Sequence, residues 1–107
     1  MNRFSVLWID SARDDLFRLV EYIAAENEQT ARKVYFRIKA KADSLVLFPA
    51  KGRVVPEFAA FHINLYREII ESPWRIIYRI DGTKVTVLAV IDGRRDIEDI
   101  LFERILM

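Results

Sequence analysis

Apolar positions along this chain change period twice, from alternating to helical spacing and back to alternating. The run FSVLWI, Phe4 to Ile9, is short, aromatic and β-branched, so it reads as a strand that stops at Asp10-Ser11. Ala12, Leu16, Leu19, Val20 and Ile23 then recur at i, i+3, i+4 spacing, which predicts a helix with one apolar stripe. Ser11 followed by Asp14 predicts a capping box at its start, hydroxyl and carboxylate satisfying the free first-turn N–H groups. Asn27 can end that helix and cap the next, whose stripe is Ala31, Val34, Ile38, Ala42 and Leu45 within Glu28 to Leu47. Two such helices with almost no connection pack as an antiparallel hairpin, and both stripes then need a sheet to lie on.

Pro49, Gly52 and Pro56 break the helical pattern and predict a crossing loop. Strands are expected over Phe61 to Ile70, Trp74 to Ile80 and Lys84 to Ile91, with turns at Glu71-Ser72-Pro73 and Asp81-Gly82. Ile97, Ile100, Leu101 and Ile105 after Gly93 suggest a short terminal helix. The order β-α-α-β-β-β(-α) is α+β, one domain over residues 1–107, with the hairpin on one face of a small, mainly antiparallel sheet. The first strand joins it as an edge or beside the last meander strand. In the central strand Trp74, Ile76, Tyr78 and Ile80 share one face, while Arg75, Ile77 and Arg79 share the other, leaving that second face for a partner or substrate.

Composition narrows the possibilities. With 17 basic against 16 acidic residues the net charge is +1, too small for a general coat on nucleic acid. The absence of cysteine rules out disulfides and thiolate metal sites and suits a reducing cytoplasm. No run has the ~20 apolar residues of a membrane span, and MNRFSVLWID is too short in its apolar run for a signal peptide. The run Arg32, Lys33, Arg37, Lys39, Lys41 reads as a solvated helix face.

The candidate chemistry lies in arginines. His62 stands alone at a predicted strand start, without a nucleophile or paired acid, and one histidine with scattered acids makes no metal site. Glu68 and Glu71, three apart on a strand, face opposite ways and read as exposed acids that can pair with Arg75 or Arg79. Arg67, Arg75, Arg79, Arg94 and Arg95 form the informative set. They are either solvent-side charges that discourage edge pairing or guanidinium forks converging on a phosphate or carboxylate.

The runs DLFRLVEYIAAENEQTARKVYFRIKAKADSLVLFPAKGRVVPE and YREIIESPWRIIYRIDGTKVTVLAVIDGRRD closely resemble the RelE/ParE superfamily of type II toxin–antitoxin toxins over nearly the whole chain. The carrying pieces are Asp-Leu and Tyr-Ile in the first helix, the Asn-to-Ala hairpin, the Pro-x-x-Gly-Arg loop, and the Tyr-Arg-Glu, Arg-Ile-Ile-Tyr and Gly-Arg-Arg segments. The resemblance implies a toxin held in a hetero-oligomer by a cognate antitoxin. It further implies DNA gyrase as target for ParE-like members, or ribosome-bound mRNA for RelE-like endoribonucleases, with no cofactor. A RelE-like nuclease would use Arg67, Arg75 and Arg95, but Ile69 stands where a second lysine is expected, Asp92 where a histidine is common, and Leu101 near the tyrosine position. The long hairpin looks like the ParE branch, so binding to gyrase is the expected activity. A non-toxic antitoxin-binding or autoregulatory protein of the same fold is the further alternative.

Overall fold

A computed structural model describes residues 3–106. The strands β1 (Ser5–Trp8), β2 (Arg53–Val54), β3 (Tyr66–Glu71), β4 (Trp74–Asp81) and β5 (Lys84–Asp92) form one sheet in the order β1-β5-β4-β3-β2. The β2–β3–β4–β5 pairs are antiparallel, and β1 lies parallel to β5 at the edge, with Val6 opposite Val85. Both options for the first strand hold at once, because the chain must cross the sheet through a helix to return.

The hairpin consists of α1 (Asp10–Ala24) and α2 (Glu28–Asp43). Asn27 caps α2 as expected, its side chain accepting from the Thr30 N–H at 2.9 Å. The capping box at Ser11 does not form. Helix α1 starts earlier, at Asp10, and the Ile9 carbonyl closes the first turn by accepting from Ala12 and Arg13 N–H groups, so Ser11 lies inside the helix. Ala12, Leu16, Val34, Ile38 and Ala42 bury against Ile69, Ile76, Tyr78, Val85 and Val87, forming the main core.

The sheet's second face is not open. Pro56 starts a short helix, α3 (Pro56–Ala59), since its fixed φ and missing N–H suit a first helical position. Its Phe58 joins Val55, Tyr66, Ile77, Ala89, Ile91, Ile97 and Leu101 in a second core. The terminal helix α4 (Glu98–Leu101), continued by a wide turn to Leu106, covers part of that face. The expected strand from Phe61 is therefore shorter: only Tyr66–Glu71 pairs, and His62 sits in a turn at φ 62° rather than at a strand start. An apolar run such as FAAFHINL has no period that separates strand from wrapped helix.

Two local devices hold the layers together. The buried Tyr78 hydroxyl donates to Pro49 O at 2.6 Å and accepts from Gly52 N–H at 3.1 Å, pinning the crossing loop to β4. Gly52 has ordinary backbone angles, but a Cβ there would collide with the Glu68 carbonyl oxygen and the Tyr78 hydroxyl. The Pro-x-x-Gly-Arg pattern thus reflects close approach. The second device lies on β5, where Ile77 opposes Ala89 but Tyr78 opposes Val87, leaving Leu88 as a bulge. Past Val87 this edge no longer pairs with β1, and Asp15 of α1 accepts the Val90 N–H at 3.0 Å. Arg104 in turn donates to both Asp15 oxygens at 2.9 Å, so the Asp-Leu motif of α1 anchors the C-terminal segment.

Tyr78→Phe is expected to cost about 1–3 kcal/mol in urea unfolding, since it leaves a buried N–H without an acceptor; Gly52→Ala is expected to cost at least as much. Asp15→Asn should speed amide exchange in Glu98–Leu101 far more than in β3, as read by hydrogen–deuterium exchange.

Candidate functional site

Residues directly opposite one another in antiparallel strands project to the same side. Arg67 opposes Tyr78, whose ring lies in the main core, so Arg67 is on the helix side, where its Nη1 donates to Gly52 O at 2.8 Å. Arg75 alternates with Ile76 and shares the other side with Ile77 of the second core. These two arginines, expected to converge on one phosphate, leave opposite faces of the sheet. Arg79 bonds Asp81 at 2.6 Å at the far end of β4. Arg94 is held by Asp92, at 3.0 and 2.7 Å, in the turn after β5. Arg95 is exposed, and its side chain has no ion pair among the described residues.

Arg75 is not an open cation. Its two terminal nitrogens donate to Glu57 at 2.8 and 2.7 Å, and its Nε donates to Glu68 at 2.6 Å. The other Glu68 oxygen accepts from Arg53 Nε at 2.6 Å. Glu68 is 1% exposed, so the expected surface acid is a buried one, correctly matched with Arg75 but enclosed by α3 and β2. Two carboxylates and two guanidinium groups leave this cluster neutral and occupy most of the Arg75 fork. Glu71, on the opposite face, binds Arg37 of α2 at 2.8 Å, not Arg75 or Arg79. Glu57 and Arg53 carried no signal in the sequence, because a four-residue helix and a two-residue strand have no period to read.

The Arg75 hydrogen bonds hold the Glu57 carboxyl below its ordinary range, against the opposing effect of burial. The same bond with Glu57 raises Arg75. Arg94 holds Asp92 down to about 2, which makes its carboxylate a weak base. Ile69 is in the main core and Leu101 is fully buried in the second. His62 is exposed on its turn. Among the described residues no His, Cys, Asp or Glu side chains gather as metal ligands.

Exposed aromatic side chains also stand on the hairpin. Phe17 and Phe36 are 51% and 62% exposed, and Tyr22 is 80% exposed. Val20, Ala24, Ala31, Tyr35 and Phe36 line a groove of about 360 Å³ between the helices, with Glu28 and Arg32 at its rim. Tyr35 and Phe36 stack edge to face at 5.3 Å. The signal for them in the sequence is aromatics placed off the core stripe: Phe17, Tyr22 and Phe36 fall outside both helices' apolar stripes. A groove lined mainly by apolar side chains is a protein-contact surface in form.

Residues 6–97 match the family described as ParE toxin of type II toxin–antitoxin system, parDE. Among solved structures, the chromosomal ParDE toxin–antitoxin system of P. aeruginosa aligns at 19% identity with a TM-score of 0.70, covering 84% of this chain and 96% of that one. The RelBE2 toxin–antitoxin complex of Mycobacterium tuberculosis aligns at 20% identity and TM-score 0.63, over 84% of this chain and 98% of that one. No curated protein matches the sequence. The two structures establish the shared fold.

The lowered Glu57 and Asp92 values give acid sensitivity a definite sign. A carboxyl with a folded value below its unfolded one adds stability that is full above the unfolded value and lost as pH falls through the folded one. Unfolding free energy should be flat well above pH 4.5, the ordinary value for Glu57, and fall below it, with the Asp92 contribution lost between 3.8 and about 2. Glu57→Gln should lower the plateau and flatten the first part of that fall. Arg75→Met should cost roughly 3–5 kcal/mol by leaving Glu68 under-paired, and Glu68→Gln in the same chain should restore much of it.

Proposed function

The chain belongs to the ParE toxin family and is the toxin of a type II toxin–antitoxin pair, and we propose that it poisons DNA gyrase by binding rather than by cutting RNA. Its partner is an antitoxin protein, as in the complexes whose fold it shares. The observation that carries the proposal is the occupied Arg75. A nuclease of the RelE kind would need that guanidinium free for phosphate, yet Glu57 and Glu68 already bond it, and Arg67 lies across the sheet. The carboxylates beside Arg75, Glu57 and Glu68, are tied up by guanidinium groups, Arg94 holds Asp92 down to about 2, and arginines titrate too high to move protons.

Gyrase acts in the cytoplasm, and among the described residues no helix is long and apolar enough to cross a membrane. The aromatic hairpin groove is the surface we assign to the antitoxin, which covers it with an amphipathic segment that folds on binding. Arg79, Arg94 and Arg95 remain on the surface as contacts for antitoxin or target, while Arg67 and Arg75 serve the fold first.

Expression without antitoxin should give filamentous growth arrest, and the purified chain should inhibit supercoiling by gyrase in vitro. Arrest of translation with mRNA cut at the ribosomal A site, supercoiling being unaffected, would replace this reading with the endoribonuclease one. Absence of both from folded protein would leave an antitoxin-binding protein without poison activity.

A further inference from the structure

On the sheet's second face a small recess lies where the far end of β4 meets the C-terminal segment. It measures about 90 Å³ and is lined by Ile9, Tyr66, Arg79, Leu88, Arg104 and Ile105. Tyr66 opposes Arg79 across the β3–β4 pair, so both project to this side. Arg104 arrives from the turn that follows α4. Every polar side chain lining the recess can donate a hydrogen bond, two are cations, and none is an acid.

Each guanidinium is only partly used. Arg79 bonds Asp81 through Nε at 2.6 Å, and its terminal nitrogens have no carboxylate bond among the described residues. Arg104 spends Nη1 on Asp15 at 2.9 Å, while its Nη2 has only a 3.4 Å contact with Leu88 O, at the limit of hydrogen-bond length. Arg75 is the contrast, with all three nitrogens taken. Asp81 chiefly, and the Tyr66 oxygen to a lesser extent, hold the Arg79 guanidinium above its ordinary range. An oxygen turned to a cation leaves its O–H to donate elsewhere, and the Tyr66 hydroxyl has no acceptor among the described residues. Size restricts the occupant further. With about 30 Å³ for each water in the liquid, the recess has room for roughly three, far below the ~300 Å³ at which pockets for drug-sized ligands begin. One compact anionic group fits, and a ring does not. A planar carboxylate is satisfied by a single guanidinium fork, whereas a tetrahedral oxyanion has oxygens for donors that arrive from three separate elements.

We propose that this recess binds a single phosphate group, held by Arg79, Arg104 and the Tyr66 hydroxyl, either as inorganic phosphate or on a nucleic-acid strand whose sugars and bases stay outside. The bound group ties the end of β4 to the C-terminal segment, which the protein otherwise joins to the rest of the fold through Asp15 and the second core. Occupancy therefore stiffens that segment, since a ligand held by both walls is lost when they part.

The test titrates inorganic phosphate into the purified full chain labelled with nitrogen-15, at constant ionic strength with chloride as the balancing anion. The Arg79 Nε–H resonance should follow a saturating curve with a dissociation constant on the order of 1 mM, the range that a few charge-assisted contacts give a small ion. Amide exchange in Glu98–Leu101 should slow as the site fills. Arg79→Gln, shown to be folded by its thermal melt, should weaken binding about tenfold or more. Arg79→Lys, which keeps the charge without the fork, should retain part of the affinity. A second arm replaces phosphate with a thymidine dinucleotide that has no terminal phosphate. A shift of the Arg79 resonance by the dinucleotide identifies a nucleic-acid phosphate as the ligand, and a shift by inorganic phosphate alone identifies the free ion; either upholds the site. If neither probe moves that resonance, or if Arg79→Gln binds as tightly as the parent chain, the proposal is wrong. Gyrase and antitoxin are absent from this measurement, so its outcome is independent of the supercoiling test.

Discussion

A carboxylate shut away from water in a sheet must have both oxygens bonded, and meeting that demand at Glu68 organises half of this molecule. Arg75 reaches it from β4 and Arg53 from the edge strand β2, and Arg75 then carries Glu57 of α3 with it. Four separate elements meet in one neutral cluster as a result. Removing Arg75 would leave Glu57 without its ion-pair partner and the buried Glu68 with Arg53 alone, which is why such a cluster fixes geometry more than it adds net stability. The short pieces β2 and α3 have little else to hold them in place except Phe58 and Val55 in the second core.

That cluster also sets the limits on chemistry. The guanidinium with the best strand position for gripping a phosphate is committed to carboxylates. The hairpin groove and a recess beside β1 differ in kind, the first lined mainly by apolar and aromatic side chains and the second carrying Arg13 and Lys39.

Much of the architecture was legible in the residues. The period of Ala12, Leu16, Leu19, Val20 and Ile23, the Asn27 cap and the Asp81-Gly82 turn are local signals, and each element forms where its signal lies. The site was far less legible. Alternation along β4 correctly separated Arg75 from Ile76, but it could not report that Arg67 on β3 faces the other way, because that depends on which strand residue it opposes. Nor could it show that α3 covers the face that seemed free, since a helix of four residues leaves no periodic trace, or that the terminal helix visible in Ile97, Ile100, Leu101 and Ile105 packs on that same face.

By itself, then, the sequence determined the elements, their order and the toxin family, since local propensity, periodicity and a run of family motifs need no knowledge of distant contacts. Tertiary structure alone decided whether each arginine was available. Availability is set by what lies within about 3 Å of a guanidinium; of the partners of Arg75, Glu57 sits on a helix too short to announce itself, and Glu68, on a strand visible in the sequence, is buried only in the packed fold. The orphan indole of Trp8 is a second case: the strand was visible as a strand, but its unpaired donor, its overlying Lys39 and its open edge exist only once helices and sheet are packed.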